Sequence, residues 1–167
     1  MLFRSNHDKH RATADHYKVP LWEIQVDPKN KHISEGKQIS ILDNHRIDLV
    51  VLARYMQILS PEFVSLYPQR IINVHHSFLP AFTGAKPYER AYERGVKLIG
   101  ATSHYVTEDL DEGPIIEQNV SRVSHRDNLI GIVQKGRDLE KIVLSRALRW
   151  HIDNRILVYG KRTVVFD

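Results

Sequence analysis

The run Leu49-Val50-Val51-Leu52 constrains this chain more than any other stretch. Consecutive apolar residues with no polar alternation suit a parallel strand covered on both faces. A parallel strand needs crossovers, usually helical, on either side of it. The flanking sequence supplies them. Strands are expected over residues 2–4, 21–26, 47–52, 71–75, 98–105 and 114–123, and a terminal hairpin over 156–159 and 163–166 around Gly160-Lys161-Arg162. Helices are expected from Asn6 as cap to residue 17, from Ser34 as cap to residue 44, from Pro61 to residue 67, and from Pro87 to residue 94 with Gly95 as the stop. In the second of these Ile39, Ile41 and Leu42 turn inward. A long amphipathic helix over 128–151 sets Leu129, Val133, Leu139, Ile142, Val143 and Leu148 at helical spacing, with Gly131 and Gly136 as points of interruption. The class is α/β, with a mostly parallel sheet that is parallel in its first half and a C-terminal hairpin.

Composition narrows the function classes. The 167 residues fit one domain, and 42% hydrophobic with 26% charged residues excludes a disordered chain. There is no cysteine, hence no disulfide framework and no thiolate nucleophile; a reducing, cytoplasmic setting fits. No apolar run approaches a membrane span, and the first residues turn polar too soon for a signal peptide. The 24 Lys and Arg and 20 Asp and Glu are interspersed, so the net charge of +4 reads as solvated surface. Neither nucleic acid nor membrane is an expected partner.

In an open α/β sheet, ligands bind beyond the carboxyl ends of the strands. That rule selects the loops after Leu52, after Ile72 and after Tyr105. In the second, Asn73 and His75 are two apart on an extended chain and face one side. An amide beside an imidazole suits acyl transfer: the amide stabilises an oxyanion and the imidazole moves protons. Read alone, the pair fits a buried Asn and His held by loop backbone better than a reactive one. His75 and His76, adjacent on the strand, are expected on opposite faces, and no H-E-x-x-H occurs among the ten histidines, so no metal is expected. The third loop carries Glu108, Asp109, Asp111 and Glu112 before a Gly113-Pro114 turn. By itself this is a solvated acidic turn, but a carboxylate meeting His75 would orient its ring and raise its pKa. Tyr55, Met56, Ile58 and Leu59 suit either a pocket for a flat aromatic ligand or plain core. Dinucleotide, P-loop and nucleophile-elbow motifs are absent.

Taken together, these segments resemble a known family. Ile72-Asn73-Val74-His75-His76-Ser77-Phe78-Leu79-Pro80-Ala81-Phe82-x-Gly84, then Leu110-Asp111-Glu112-Gly113-Pro114-Ile115-Ile116, with Leu52-Ala53-Arg54-Tyr55-Met56-x-Ile58-Leu59 upstream, are similar to the signatures of folate-dependent formyltransferases. The stretches Gly84-Ala85-Lys86-Pro87-Tyr88, Gly136-Arg137-Asp138-Leu139-Glu140 and Val158-Tyr159-Gly160-Lys161-Arg162-Thr163-Val164-Val165-Phe166 resemble the hydrolytic branch of that family. The resemblance implies a Rossmann-like formyltransferase sheet and hydrolysis of 10-formyltetrahydrofolate to tetrahydrofolate and formate, in one-carbon and purine metabolism. It implies Asn73, His75 and Asp111 as the catalytic trio. It also implies a pterin edge held by Tyr55, Met56, Gln57, Ile58, Leu59, Thr107 and Leu110, and closure of the acceptor space by Lys86 and Tyr88. The folate is the substrate, no separate cofactor and no metal is implied, and water is the second reactant. Formyl transfer to an amine and an inactive folate-binding fragment are the alternatives.

Family members begin earlier, with an ACT-type regulatory domain and a first strand and helix. The resemblance therefore implies a single catalytic domain over 1–167 that lacks its first βα unit. Exposed strand edges would follow, and with them marginal stability or a homo-oligomer that covers the edges.

Overall fold

Alternation between short β-prone runs and polar helical stretches sets the order of elements. The computed structural model describes residues 2–4, 8–26, 29–53, 55, 57–81 and 86–166. In chain order these form β1 (Leu2–Arg4), α1 (Asp8–His16), β2 (Leu21–Glu23), α2 (Lys31–Asn44), β3 (Val50–Ala53), α3 (Pro61–Leu66), β4 (Ile71–His75), α4 (Pro87–Arg94), β5 (Leu98–Tyr105), β6 (Ile115–Arg122), α5 (Leu129–Ile152), β7 (Ile156–Tyr159) and β8 (Arg162–Val165). The chain divides into two compact units, Met1–Asp48 with Leu59–Phe63, and Leu49–Ile58 with Val64–Asp167.

In the first unit β1 and β2 pair in parallel, Leu2 opposite Leu21. The expected Asn6 cap lies outside the described residues. The expected Ser34 cap is corrected: α2 starts at Lys31 with Asn30 as N-cap, and Ser34 sits in its first turn. Its hydroxyl is buried and donates to the Gln25 carbonyl at 2.8 Å, so it ties the incoming loop to the helix. Leu42 is buried as expected, whereas Ile39 and Ile41 are only half-buried. Glu35 is buried at 2% exposure, and its Oε1 accepts the Ser60 backbone N–H at 3.2 Å. A buried carboxylate is retained only where such donors meet it.

The second unit holds a four-stranded sheet in the order β3-β4-β5-β6. β3 and β4 are parallel, as the parallel first half required, but β4–β5 and β5–β6 are antiparallel. The sheet is therefore mixed, and antiparallel pairing begins well before the terminal hairpin. Between β5 and β6 the brief return imposes it, because a connection that short cannot cross the sheet. The continuous burial expected of β3 is found instead in β5, where every residue from Ile99 to Tyr105 is buried. β3 is a sheet edge, and Val51 is 40% exposed.

α5 covers one face of this sheet. Its buried residues Ile132, Gly136, Leu139, Glu140, Val143 and Ala147 form one stripe at helical spacing. Asn128 caps the helix through a 2.8 Å bond to Gly131 N–H, and neither Gly131 nor Gly136 interrupts it. Ile142 falls one residue off the stripe and is 39% exposed, contrary to expectation. Leu139 and Val143 pack with Val74, Ile99 and Ala101 of the sheet and with Tyr88 and Ala91 of α4. Each such fully buried side chain contributes roughly 1.5–3 kcal/mol. Gly136 is required by contact, since a Cβ there would lie 2.1 Å from Tyr88 Cζ. The Tyr88 hydroxyl donates to Glu140 Oε1 at 2.9 Å. The strands β7 and β8 form the expected hairpin. No helix among the described residues is long and apolar enough to cross a membrane.

Candidate active site

β4 ends at His75, and alternation along it puts Asn73 and His75 on the face opposite Ile72 and Val74. Antiparallel pairing then sets His104 of β5 opposite Asn73, and Thr102 opposite His75. After β5 the chain turns back through residues 106–114. Two features pin this return. Tyr105 N–H donates to the Pro114 carbonyl at 2.9 Å. Gly113 packs so closely on β5 that a Cβ would lie 1.8 Å from the Tyr105 carbonyl oxygen. Asp111 sits in the turn with φ of 57°, a left-handed conformation that Asp tolerates better than most residues.

The turn delivers the Asp111 carboxylate between two imidazoles. Its Oδ2 lies 3.2 Å from His75 Nδ1 and its Oδ1 lies 3.5 Å from His104 Nε2. Hydrogen bonds from His104 and then His75 hold the Asp111 carboxyl well below the usual carboxylate range, against the opposing effect of burial. A carboxylate only accepts, so His75 Nδ1 carries the proton directed at Asp111. Neutral His75 then keeps a lone pair on Nε2, which is buried and has no hydrogen-bond partner among the described residues. A carbonyl likewise only accepts, and His104 Nδ1 lies 2.8 Å from the Tyr105 carbonyl. His104 Nε2 also lies 3.2 Å from Asn73 Nδ2, so this nitrogen serves either Asp111 as a donor or Asn73 as an acceptor. Contact with His104 uses at most one of the two amide N–H groups of Asn73 and leaves the other available.

The loop after His75 is tied down from the same face. Thr102 Oγ1 donates to the Ser77 carbonyl at 2.9 Å and accepts from Leu79 N–H at 3.1 Å and Gln118 Nε2 at 3.0 Å. Gln118 Nε2 also reaches the Leu79 carbonyl at 3.1 Å. His76 is not opposite His75: the strand stops at His75, the chain bends, and the two rings stack 5.3 Å apart at 18°.

Asn73, His75 and Asp111 thus converge as the resemblance implied, and His104 joins them. The sequence reading missed His104. Its one signal is an imidazole two residues from Thr102 within a strand of otherwise small, apolar or hydroxyl residues, and it needs the register with Asn73 to acquire meaning. Thr107 and Leu110 share the loop of Asp111; Thr107 Oγ1 donates to the Asp109 carbonyl at 3.2 Å, and Leu110 is 59% exposed. Tyr55 is half-buried, Gln57 and Ile58 are exposed, and Leu59 is buried in the first unit. Met56 lies outside the described residues, as do Arg54 and residues 82–85. Lys86 pairs with Glu89 at 3.5 Å on the surface, so the structure does not bring its ammonium to the trio. Tyr88 lies beside His76, ring to ring at 6.2 Å. With His76, Phe78, Ile99 and Val120 it lines an apolar cavity of about 430 Å³ that neither Asn73 nor Asp111 enters. Among the described residues no group of three or more His, Cys, Asp or Glu is placed to hold a metal.

This fold and this cluster have known counterparts. The formyl transferase family profile matches residues 5–148, and the chain belongs to that family. Within it, the chain is similar to the formyltetrahydrofolate deformylase of Bacillus subtilis (strain 168), at 54% identity over 98% of this chain and 54% of that protein. The crystal structure of a formyltetrahydrofolate deformylase from Pseudomonas syringae pv. tomato superposes with a TM-score of 0.92 at 54% identity, over 98% of this chain and 55% of that one. The glycinamide ribonucleotide transformylase 1 of Symbiobacterium toebii is more distant, with a TM-score of 0.89 at 30% identity over 99% of this chain and 79% of that one. The chain spans about half the length of the deformylases it matches.

Proposed function

We propose that this chain hydrolyses 10-formyltetrahydrofolate to tetrahydrofolate and formate. The observation that carries the reading is the His75–Asp111 contact at 3.2 Å, with His75 Nε2 unpartnered among the described residues and Asn73 on the same strand face. Water adds its oxygen to the formyl carbon while Nε2 takes one of its protons. The carbonyl electrons move onto oxygen, where the spare Asn73 N–H stabilises the charge. Asp111 holds the ring in the required tautomer and faces the imidazolium as it forms, as a triad carboxylate does. Collapse restores the carbonyl, breaks the bond to N10, and passes the proton from Nε2 to N10. No further cofactor is needed, since the folate is itself the substrate. The formate would enter one-carbon metabolism and purine biosynthesis in the cytoplasm.

Formate release from 10-formyltetrahydrofolate, with no amine present and Asp111→Ala as control, tests the reading. Turnover that disappears in the control is expected. Formyl transfer to an added amine, without formate release in its absence, would assign the chain to the transferase chemistry instead.

A further inference from the structure

The His75 ring needs more than one hold. The contact of its Nδ1 with Asp111 Oδ2, at 3.2 Å, fixes one point of the ring. The second side-chain torsion of histidine is broad, so a ring held at one point can still tilt about that bond. Nε2 sits on the far side of the ring, and a tilt moves it off the reacting water. A general base must lie within hydrogen-bond reach of the proton it takes. A flat surface against the ring face removes that freedom.

His76 supplies that surface. β4 stops at His75, and the chain bends so that the next ring lies 5.3 Å from the His75 ring, centroid to centroid, at 18°. This is within the range of stacked aromatic rings. The bend is itself fixed. The Ser77 carbonyl accepts from Thr102 Oγ1 at 2.9 Å, and Ser77 Oγ donates to the Ala81 carbonyl at 2.7 Å. His76 also meets Tyr88, ring to ring at 6.2 Å and 51°. Tyr88 has little freedom to give way. It is buried, its hydroxyl donates to Glu140 Oε1 at 2.9 Å, and Gly136 packs so closely on its ring that a Cβ would not fit. A rigid series thus runs from α5 through Tyr88 and His76 to the ring of His75.

We propose that His76 is a positioning residue for the reaction: its ring, backed by Tyr88, holds the His75 imidazole in the plane that directs Nε2 at the attacking water. His76 handles no proton in this role and acts through the orientation of its neighbour. The cavity of about 430 Å³ that His76 lines sharpens the requirement, since removing the ring joins that space to the face of His75. The inference deepens the proposed hydrolysis and rests on it for the kinetic part of its test.

Three variants separate flatness from volume. His76→Phe keeps a flat ring, His76→Leu keeps bulk without flatness, and His76→Ala keeps neither. In formate release by the full chain, kcat should stay within about threefold of the parent for His76→Phe and fall about 10- to 100-fold for His76→Leu and His76→Ala, because a 1 Å misplacement of a reacting group costs on the order of 10². KM should move by less than about threefold in all three, since the ring acts on the chemical step and not on substrate binding. Crystal structures of the same proteins test the positioning without turnover. The His75 ring should superpose on the parent in His76→Phe and should tilt or split into two orientations in His76→Leu. A parent chain that releases no formate refutes the proposed function, and the crystal structures then decide this inference alone. A kcat in His76→Leu equal to the parent, a His75 ring unmoved in His76→Leu, or a loss in His76→Phe as large as in His76→Ala overturns it.

Discussion

The two faces of the four-stranded sheet are built from alternate residues of the same strands, yet they answer to different forces. On one face Ile72, Val74, Ile99 and Ala101 pack with the stripe of α5 and with α4. On the other, Asn73, His75, Thr102 and His104 are drawn together with Asp111 by directional bonds. The apolar face is satisfied by shape and tolerates small adjustments. The polar face is satisfied by lone pairs and protons, and its unmatched atom, His75 Nε2, is where chemistry can enter. One residue of register separates the two roles.

The comparison predicts variants that separate activity from stability. The largest effect is expected at the polar face: His75→Ala and Asp111→Ala should each lower formate release about 10³-fold or more, a far larger effect than their fall in melting temperature. Steady-state rates beside thermal melts check this, and a large loss of stability with retained turnover would break the division. On the apolar face the order should reverse. Leu139→Ala should cost about 3 kcal/mol, seen as a fall in melting temperature of about 10 °C, while the rate below the transition changes little.

Thr102 sits where the comparison can be sharpened. Its hydroxyl is buried on the polar side but ties loop backbone rather than reacting atoms. Thr102→Val should cost about 2 kcal/mol through the unmatched Leu79 N–H and Ser77 carbonyl, and should lower the rate as well; Thr102→Ser should restore both. Melts and rates of the two variants decide.

The smallest effects are expected in the pH dependence of stability, and the two faces should lose it in different windows. The Asp111 carboxyl is depressed by hydrogen bonds from His104 and His75. The stabilisation it provides is complete above about pH 4 and is lost as pH falls below that. Behind the sheet, the Tyr105 hydroxyl and His151 Nδ1 are hydrogen-bonded at 2.8 Å, and burial pushes the His151 ring below its ordinary value and the Tyr105 hydroxyl up to about 12. The contribution of a buried neutral His151 is present above about pH 6.5 and fades as pH falls below it, while that of Tyr105 fades above about pH 10. Denaturant titrations over pH should therefore show an upper acid limb that flattens in His151→Gln and a lower one that flattens in Asp111→Asn. A single limb unchanged by both variants would contradict this assignment.

Much of this was legible in the chain. The bounds of β4, α4 and β5 follow directly from Pro87, Gly95 and the apolar runs, because local chemistry decides where those elements start and stop. Asn73, His75 and Asp111 were readable from their motifs. Ser34 misled, because a residue suited to a cap was used to hold a loop. Val51 misled, because an apolar run fitting a central strand stands at an edge. Tyr88 shows the same limit in a positive way. The stretches around Lys86-Pro87-Tyr88 and Gly136-Arg137-Asp138-Leu139-Glu140 were separate in sequence, and packing made them one contact, ring on Gly136 and hydroxyl on Glu140.

The sequence by itself determined the α/β class, the family and three of the four groups at the site, because periodicity, breakers and motifs are local along the chain. Tertiary structure alone decided that His104 stands opposite Asn73 and that Asp111 lies between two imidazoles. Each of these depends on register and on the closing of a turn, which bring together residues that no short stretch of sequence compares.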